Sequence, residues 1–342
     1  MKAQVLVRHG LAASAFEMRD MPDPVPKAGE LRINSEVSGL NFADVMARLG
    51  LYQDAPPLPS VLGYEVVGRI DAIGSGIKRF QVGQRVVAFT RFGGYASSVI
   101  ATEDSAAILP DDYKASAAAA LATQYVTAYF AAEEMVRLHK GDHVLIQAAA
   151  GGVGTALVQL CKRAGCVVYG TASSEEKLKH LRDQGVDHPI NYREADFAKE
   201  FLKLSGGRKA DVVFDSLGGA SFRRALKLLS AGGRMVGLGM ADAVGGQKGG
   251  VFRTLKTVAS FGILHPAWFL IHSKAIVGVN MLRVADQRPD IIRRCLQAVT
   301  QLAVSGEVSP VVGGEFRAEE IGKAHDFLGA RKSIGKVVIR WN

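Results

Sequence analysis

Gln147-Ala148-Ala149-Ala150-Gly151-Gly152-Val153-Gly154 is the stretch of this 342-residue chain that decides the fold. It follows the run His143-Val144-Leu145-Ile146 and opens a helical pattern that continues to residue 164. Glycines between a strand and a helix permit a tight turn and a close approach of the backbone to a diphosphate, whose charge is favoured at a helix N-terminus. The stretch therefore predicts a dinucleotide-binding loop, and a turn that merely packs is the alternative.

Short apolar runs alternate with helical patterns from residue 143 onward. The candidate strands are 143–147, 167–169, 189–191, 211–214, 234–237 and 276–279. Continuous apolar strands joined by helices indicate a parallel sheet that is covered on both faces. The sequence therefore predicts an α/β, doubly wound, six-stranded parallel domain of the Rossmann type over residues 123–284.

Residues 1–122 follow a different pattern. Alternation with a period of two at 31–37, and short segments at 66–73 and 85–89 punctuated by glycine, predict an antiparallel, turn-rich β domain. Helices are expected at 291–305 and 318–329, followed by a closing strand at 336–340. We expect residues 285–342 to rejoin residues 1–122, which makes the parallel domain an insertion.

Composition excludes several classes of protein. Hydrophobic residues make up 48% of the chain and charged residues of both signs 22%, which argues against disorder and coiled coil. The net charge of +9 is spread over helical patterns, so it predicts solvated helix faces, and a nucleic-acid or membrane surface is the lesser alternative. Three cysteines without C-x-x-C spacing, and a start without a signal-peptide pattern, predict a cytoplasmic protein.

Two weakly charged stretches raise the question of a membrane. Residues 115–132 and 258–271 are both too polar or too short to cross a bilayer. They are expected to form buried helices, and the second could instead form an exposed apolar lobe. Glycine-rich residues 245–250 beside Phe252, Phe261, Trp268, Phe269 and Met281 suggest a mobile flap over an apolar pocket.

The end of the second parallel strand bears on which coenzyme the loop takes. It reads Thr171-Ala172-Ser173-Ser174, without the carboxylate that usually binds the ribose of NAD. Ser173 and Lys177 could instead bind a 2′-phosphate, which favours NADPH. The alternatives are that Ser173 is only a helix N-cap with Glu176 completing a capping box, and that Glu175 holds the ribose and restores NADH.

Segments spread over nearly the whole chain carry a family resemblance. They are Gly39–Tyr52 (GLNFADVMARLGLY), the loop Ala148–Gly154, Gly170–Ser173, Ile190–Tyr192 and Gly335–Val338. In this order they resemble the zinc-free quinone oxidoreductase branch of the medium-chain dehydrogenase/reductase superfamily, the zeta-crystallin type, and especially the synaptic vesicle membrane protein homologues. The resemblance implies a GroES-like catalytic domain joined to a Rossmann domain, with NADPH in the cleft and a homodimer or tetramer as the assembly.

Motif and resemblance together imply the cofactor-binding residues. These are Ala150, Gly151, Gly152, Val153, Gly154, Ser173, Lys177, Tyr192, Ser216, Gly239, Met240 and Arg331. Read without the family, Tyr192 is an ordinary strand aromatic and Arg331 an ordinary cation at a helix end. The apolar strand at 276–279 adds to the expectation of a homodimer, because an exposed strand edge invites pairing.

Zinc-dependent relatives have a thiolate where this chain has Asn41, and Gly-His-Glu where it has Gly63-Tyr64-Glu65. No cysteine precedes Cys161, and a catalytic zinc needs about three protein ligands. We therefore expect no metal. Asp44 could brace Arg48, four residues later on the same helix.

The activity expected is hydride transfer from NADPH to a quinone without a metal ion. Asn41 and Tyr52, which the resemblance implies lie near the cleft, are nominated as hydrogen-bond donors to the oxygen that gains charge. Thr127 is expected close to the nicotinamide, and Tyr52 could instead be a core residue. The alternatives are reduction of an enone, a 2-alkenal or an enoyl thioester on the same scaffold, or a non-catalytic nucleotide-binding protein associated with membrane or RNA.

Overall fold

Residues 1–241, 259–262 and 264–341 are described here by a computed structural model. The chain divides into a first unit, residues 1–126 with the segment from 281 onward, and a second unit, residues 127–280. The sequence put these boundaries after residues 122 and 284. A chain that leaves the first unit and later returns to it makes the second unit an insertion.

The first unit is built mainly from antiparallel strands. Its N-terminal strands are β1 (Lys2–Leu6), β2 (Phe16–Asp20), β3 (Glu30–Leu40), β4 (Ser60–Val61), β5 (Glu65–Ile73), β6 (Arg85–Phe89), β7 (Ser98–Thr102) and β8 (Ala106–Ile108). Three short helices accompany them: α1 (Ala12–Ala15), α2 (Phe42–Arg48) and α3 (Ala115–Ala118). Strands β2, β1 and β4 form a three-stranded sheet, and the other strands belong to a larger one.

The uncharged stretch at 115–132 forms a buried helical segment, as predicted. Helix α4 (Val126–Tyr129) lies between two wider π-helical turns, Leu121–Tyr125 and Phe130–Met135. Leu121, Tyr125 and Ala131 are buried in it. Within the residues that the structure describes, no helix is long and apolar enough to span a bilayer.

The second unit contains the predicted six-stranded parallel sheet. Its strands are β9 (His143–Ile146), β10 (Val167–Ala172), β11 (His188–Asn191), β12 (Ala210–Asp215), β13 (Leu229–Gly237) and β14 (Ala275–Gly278). Its further helices are α5 (Gly152–Arg163), α6 (Glu175–Asp183), α7 (Phe197–Leu204), α8 (Gly219–Leu226) and α9 (Pro266–His272). The strand order β11-β10-β9-β12-β13-β14, with every pair parallel, confirms the Rossmann-type prediction.

The core of the second unit explains this order. The side chains of Val144, Leu145 and Ile146 on β9 are all buried, which is typical of a central strand covered by helices on both faces. Leu145 packs with Tyr169 and Val213 from the two neighbouring strands. Because β9 lies at the point where the strand order reverses, the loops after β9 and β12 flank a crevice at the carboxyl edge of the sheet.

The C-terminal segment completes the large sheet of the first unit. It contains α10 (Met281–Gln287), α11 (Pro289–Val304), β15 (Val312–Arg317), α12 (Ile321–Gly329) and β16 (Lys336–Arg340). Strand β16 pairs antiparallel with β3, so that Val337 lies opposite Leu40. The sheet runs β15-β16-β3-β5-β6-β8, with β7 also paired to β3. The predicted closing strand therefore has the predicted bounds, and its neighbour is the strand that leads to Asn41.

The predicted flap at 245–250, together with Phe252, lies outside the described residues. Phe261, Trp268 and Phe269 are half-buried and pack against the core cluster of the second unit. Helix α9 has no fully buried residue, so the expectation of a buried helix is wrong. Its apolar surface is exposed on one side only, at Leu270 and Ile271, because Trp268 and Phe269 face the core.

Candidate functional site

The glycine-rich loop of the second unit has the geometry of an anion-binding turn. Ala148 has φ +54°, and the Gly151 N–H donates to its carbonyl at 3.0 Å. Gly151 caps α5, so the first N–H groups of that helix have no partner within the helix. A Cβ on Gly154 would lie 2.4 Å from the Ala148 carbonyl oxygen, so only glycine lets the helix approach the loop this closely. The loop thus presents backbone donors to an anion.

A buried pair of polar side chains fixes the start of this loop. The Thr171 hydroxyl donates to Gln147 Oε1 at 2.8 Å and accepts from the Ala148 N–H at 3.1 Å. The N–H of Ala149 donates to the Thr171 carbonyl at 3.0 Å. Sequence analysis missed this link, although a glutamine at the end of an otherwise apolar strand was a signal for it. The loop is therefore attached to β10 before it reaches its glycines.

The turn after β10 corrects the predicted capping. Ser174, not Ser173, caps α6, and its hydroxyl accepts from the Lys177 N–H at 3.4 Å. Glu175 is exposed and forms an ion pair with Arg182, so its carboxylate is already engaged. The hydroxyl of Ser173, half-buried one residue before the cap, is not used to start the helix.

The structure brings Tyr192 to the same corner. Ala172 pairs with Asn191, and the Tyr192 N–H donates to the Ala172 carbonyl at 3.1 Å. Its side chain is exposed at the end of β11. Of the predicted 2′-phosphate residues, Ser173 and Tyr192 therefore follow two adjacent strands, and Lys177 lies in the first turn of α6, the helix after β10.

Ser216, Gly239 and Met240 also come together. Asp215 accepts from the N–H groups of Leu217 at 3.0 Å and Gly218 at 2.6 Å, which shapes the turn that carries Ser216. A Cβ on Gly239 would lie 3.4 Å from the Ser216 carbonyl oxygen, and one on Gly218 would lie 3.2 Å from the Cα of Met240. The predicted cofactor residues of the second unit thus follow five consecutive strands, β11, β10, β9, β12 and β13, at one edge of the sheet.

Thr127 is half-buried on α4 in the same unit.

In the first unit, the end of β3 leads into a buried polar cluster. The Asn41 N–H donates to Asp44 Oδ2 at 2.8 Å, and the Gly63 N–H donates to Asp44 Oδ1 at 3.1 Å. Asp44 is fully buried, and it starts helix α2 instead of bracing Arg48. The prediction for Asp44 is therefore wrong, because Arg48 donates to the Gly10 carbonyl.

Lys336 adds a buried positive charge to this cluster. Its Nζ forms an ion pair with Glu65 and donates to Asn41 Oδ1 at 3.0 Å, while Asn41 Nδ2 donates to Glu65 Oε1 at 2.8 Å. The side chains of Lys336 and Glu65 are both 0% exposed. Sequence analysis missed the role of Lys336, although a lysine heading the apolar strand Val337-Val338-Ile339 was a signal for it. The predicted catalytic amide of Asn41 is thus held from two sides.

Burial shifts the titration of these groups. It lowers the pKa of Lys336 and raises the pKa of Glu65, and the attraction between the two opposes both shifts. Burial also raises the pKa of Asp44 to about 7, with the charge of Glu65 adding to the rise and the Asn41 N–H opposing it. Two carboxyls and one ammonium therefore share this interior.

Tyr52 and Arg331 are the remaining predicted site residues of the first unit. Tyr52 is half-buried against the core beneath α12, and burial followed by the nearby Asp54 carboxylate raises its pKa. A phenol with a raised pKa keeps its proton and can donate a hydrogen bond at neutral pH. Arg331 is exposed just after α12, with φ +57°.

Comparisons with known proteins agree with this architecture. Residues 27–111 match the alcohol dehydrogenase GroES-like domain, and residues 152–301 match the zinc-binding dehydrogenase family. The human synaptic vesicle membrane protein VAT-1 homolog is 32% identical over 325 residues, covering 95% of this chain and 82% of that protein. This chain belongs to the medium-chain dehydrogenase/reductase superfamily, alongside the VAT-1 homologs.

Other members of the superfamily are similar over different lengths. The zebrafish VAT-1 homolog is 33% identical over 92% of this chain, which spans 65% of that protein's length. An Escherichia coli quinone oxidoreductase solved with NADPH has a TM-score of 0.86 and 26% identity, covering 99% of this chain and 100% of the other. The CurK enoyl reductase has a TM-score of 0.85 and 27% identity, covering 99% of both chains.

The superfamily includes zinc enzymes, and the residues around Asn41 decide whether this chain's cluster fits a zinc ion. In the described part of the chain, no three His, Cys, Asp or Glu side chains are grouped so that they could hold a metal. Around Asn41 the only carboxylate bonded to its amide, that of Glu65, is already paired with the Lys336 ammonium. A divalent cation at this place would meet a buried positive charge, so the cluster does not fit zinc.

The raised pKa of Asp44 predicts a pH dependence of stability. A carboxyl whose pKa is about 7 when folded and 3.8 when unfolded binds its proton more tightly in the folded protein. It contributes stability at low pH that is lost as the pH rises from about 4 to 7. Relative to Asp44→Asn, the wild type should lose up to about 4 kcal/mol of unfolding free energy over this range.

Urea unfolding at pH 4, 5.5, 7 and 8 measures this difference. Asp290→Asn is the control: the hydrogen bond from Arg288 lowers the pKa of Asp290, so its contribution is already complete above about pH 4 and its difference from the wild type should stay flat from pH 4 to 8. The raised pKa of Asp44 would be contradicted if the difference in unfolding free energy between wild type and Asp44→Asn did not change with pH, or if the wild type gained stability over the variant as the pH rises.

Proposed function

We propose that this protein is an NADPH-dependent oxidoreductase that transfers hydride to a quinone without a metal ion. The observation that carries the proposal is the glycine-rich turn between β9 and α5, followed at the end of β10 by serine and lysine instead of a carboxylate. Backbone donors at a helix N-terminus suit a diphosphate, and a strand end that carries serine where NAD-binding proteins usually carry a carboxylate suits a 2′-phosphate. Two similar solved proteins, one from Escherichia coli and one mycobacterial, contain NADPH.

Each cofactor residue has a proposed role. Residues 150–154 bind the diphosphate, and Ser173, Lys177 and Tyr192 surround the 2′-phosphate. Ser216, Gly239 and Met240 follow the nucleotide toward the nicotinamide, with Thr127 beside that ring. Arg331, in the other unit, is proposed on the family resemblance alone. All of these roles together would hold NADPH along the carboxyl edge of the parallel sheet.

NADPH, when bound, supplies the hydride, and the protein's own residues handle the charge that arrives on the acceptor. A quinone is electron-poor, so it needs orientation and hydrogen-bond donors more than a Lewis acid. Tyr52 donates because its raised pKa keeps the phenol protonated. Asn41 donates through the second hydrogen of Nδ2, since the first is bonded to Glu65. The buried ammonium of Lys336 supplies the nearest fixed positive charge to that amide.

A second candidate function is reduction of an enone, a 2-alkenal or an enoyl thioester. The similarity to the CurK enoyl reductase favours it, as does 29% identity over 99% of the chain to a segment of a mycobacterial polyketide synthase. An activated alkene accepts hydride at carbon and also leaves negative charge on an oxygen, so the same donors serve. A non-catalytic role is the remaining alternative.

A substrate panel tests the proposed function. Purified protein is supplied with NADPH and, in turn, 1,4-benzoquinone, a 2-alkenal, a cyclic enone and an enoyl thioester, and oxidation is followed at 340 nm. We expect the highest kcat/KM with the quinone, and the same rate after dialysis against EDTA. Faster turnover of an alkene would establish the second candidate, loss of activity in EDTA would contradict metal independence, and no turnover with any acceptor would contradict both functions.

The proposed 2′-phosphate site predicts a cofactor preference. Lys177→Ala should weaken NADPH binding by about 1.5–3 kcal/mol, the size of a charge-assisted hydrogen bond, and leave NADH binding nearly unchanged. Fluorescence titration measures both dissociation constants. Lys179→Ala is the control, because Lys179 lies on the same helix and pairs with Asp183. An equal loss for NADPH and NADH would contradict the assignment.

We also propose that the protein is a homodimer that pairs through β14. This strand is one edge of the six-stranded sheet, and Ala275, Ile276 and Gly278 are exposed on it. An apolar edge strand that is exposed within the described residues favours pairing with a second copy. Light scattering should give twice the 36.5 kDa chain mass, and Ile276→Lys should halve it, whereas Ile108→Lys on the edge strand β8 should not. A monomeric wild type would contradict this proposal.

A further inference from the structure

The side-chain amide of Asn41 is held in one orientation by two opposite charges. Its Oδ1 accepts from the Lys336 ammonium at 3.0 Å, and its Nδ2 donates to Glu65 Oε1 at 2.8 Å. Rotating the amide by half a turn would bring its NH2 group against the ammonium and its carbonyl against the carboxylate. Both contacts would be repulsive, so the second N–H of Asn41 has a fixed direction.

The backbone is built to keep the ammonium in this position. A Cβ on Gly39 would lie 2.1 Å from Glu65 Oε1 and 2.5 Å from Lys336 Cε, so the ion pair needs a glycine there. Gly335 has φ +70°, and a Cβ on it would lie 2.2 Å from the Val311 carbonyl oxygen. Because Val337 lies opposite Leu40 in the antiparallel pair, Lys336, one residue earlier on β16, comes opposite Asn41, the residue that follows β3.

The ion pair is poorly satisfied for a purely structural one. Glu65 Oε2 is buried and has no hydrogen-bond partner among the described residues. Burying a charged pair costs desolvation energy, which is recovered only when the remaining lone pairs are also bonded. Apolar pairs of similar volume often stabilise a fold as well as a buried ion pair does, so folding stability alone does not account for these two charges.

We propose that Lys336 is a positioning residue for the reduction reaction: its buried ammonium orients and polarises the Asn41 amide so that the remaining N–H donates to the substrate oxygen. The inference rests on the proposed function for the identity of that oxygen. Lys336 is fully buried and therefore acts through Asn41 and not by touching the substrate. When the carbonyl of an amide accepts a hydrogen bond from a cation, the N–H of the same amide becomes a stronger donor. The charge of Lys336 would therefore strengthen the hydrogen bond from Asn41 to the substrate oxygen.

Two variants separate this role from a structural one. Lys336→Met leaves Glu65 unpaired in the interior, so it should lower both Tm and kcat. The double variant Lys336→Met with Glu65→Gln removes both charges, so it should recover most of the Tm. We expect its kcat with the quinone to remain at least about tenfold below wild type, while the NADPH dissociation constant changes less than about twofold. The matched control is the double variant of an exposed ion pair, Lys323→Met with Glu320→Gln. It should leave kcat and the NADPH dissociation constant unchanged.

The Asn41→Ala background tests whether Lys336 acts through the amide. If it does, the triple variant that adds Lys336→Met and Glu65→Gln to Asn41→Ala should have a kcat less than about twofold below that of Asn41→Ala alone. Recovery of kcat together with Tm in the double variant would show a structural role only. Losses that multiply in the Asn41→Ala background would show that the ammonium acts independently of the amide. Either result overturns the proposal.

A readout without catalysis keeps this test separate from the proposed function. In ¹⁵N-edited NMR spectra, the side-chain signals of Asn41 are assigned by their absence in Asn41→Ala, and the N–H that donates to Glu65 should exchange slowly with water in the wild type. In the double charge-removal variant we expect the exchange of this N–H to be at least about tenfold faster. Unchanged exchange would overturn the positioning role. A wild type that reduces no quinone or alkene, but shows this protection and its loss, would overturn the proposed function alone.

Discussion

A lysine ammonium buried against a glutamate, at the strand end that leads to Asn41, is the interaction on which the polar interior of the first unit depends. Lys336 and Glu65 are brought together by the pairing of β16 with β3, and Gly39 leaves room for both side chains. The pair costs desolvation energy, and hydrogen bonds to Asn41 offset part of that cost. The same pair holds the Asn41 amide from two sides, because Lys336 donates to its Oδ1 and Glu65 accepts from its Nδ2.

The polar groups of the two proposed sites are of different kinds: backbone N–H groups in the second unit and buried charged side chains in the first. The second unit presents backbone N–H groups at a helix N-terminus, where the glycine at 154 lets α5 approach the loop. The first unit instead concentrates side-chain charges in its interior, where a low dielectric strengthens each interaction. An anion held by backbone dipoles and an amide held by buried charges together suit a reaction that moves a hydride and leaves negative charge on an oxygen.

The features predicted from sequence are those that local patterns encode. Apolar periodicity gave all six parallel strands, and the apolar run at 336–340 gave the closing strand with its bounds. The helix cap was displaced by one residue, to Ser174, because two adjacent serines fit the cap equally well by type. The bracing of Arg48 by Asp44 was wrong, because helical spacing says nothing of the Gly63 N–H that Asp44 binds instead. The pairing of Lys336 with Glu65 joins residues far apart in the chain, which no local pattern specifies.

Crystals grown with NADPH and excess Zn²⁺, with anomalous scattering recorded at the zinc edge, would test the central claim most directly. The account predicts ordered Lys336, Glu65 and Asn41 side chains within hydrogen-bonding distance of one another, with no zinc peak near them. It is contradicted by a fully occupied zinc ion about 2.0–2.2 Å from a Glu65 oxygen, with the Lys336 side chain displaced.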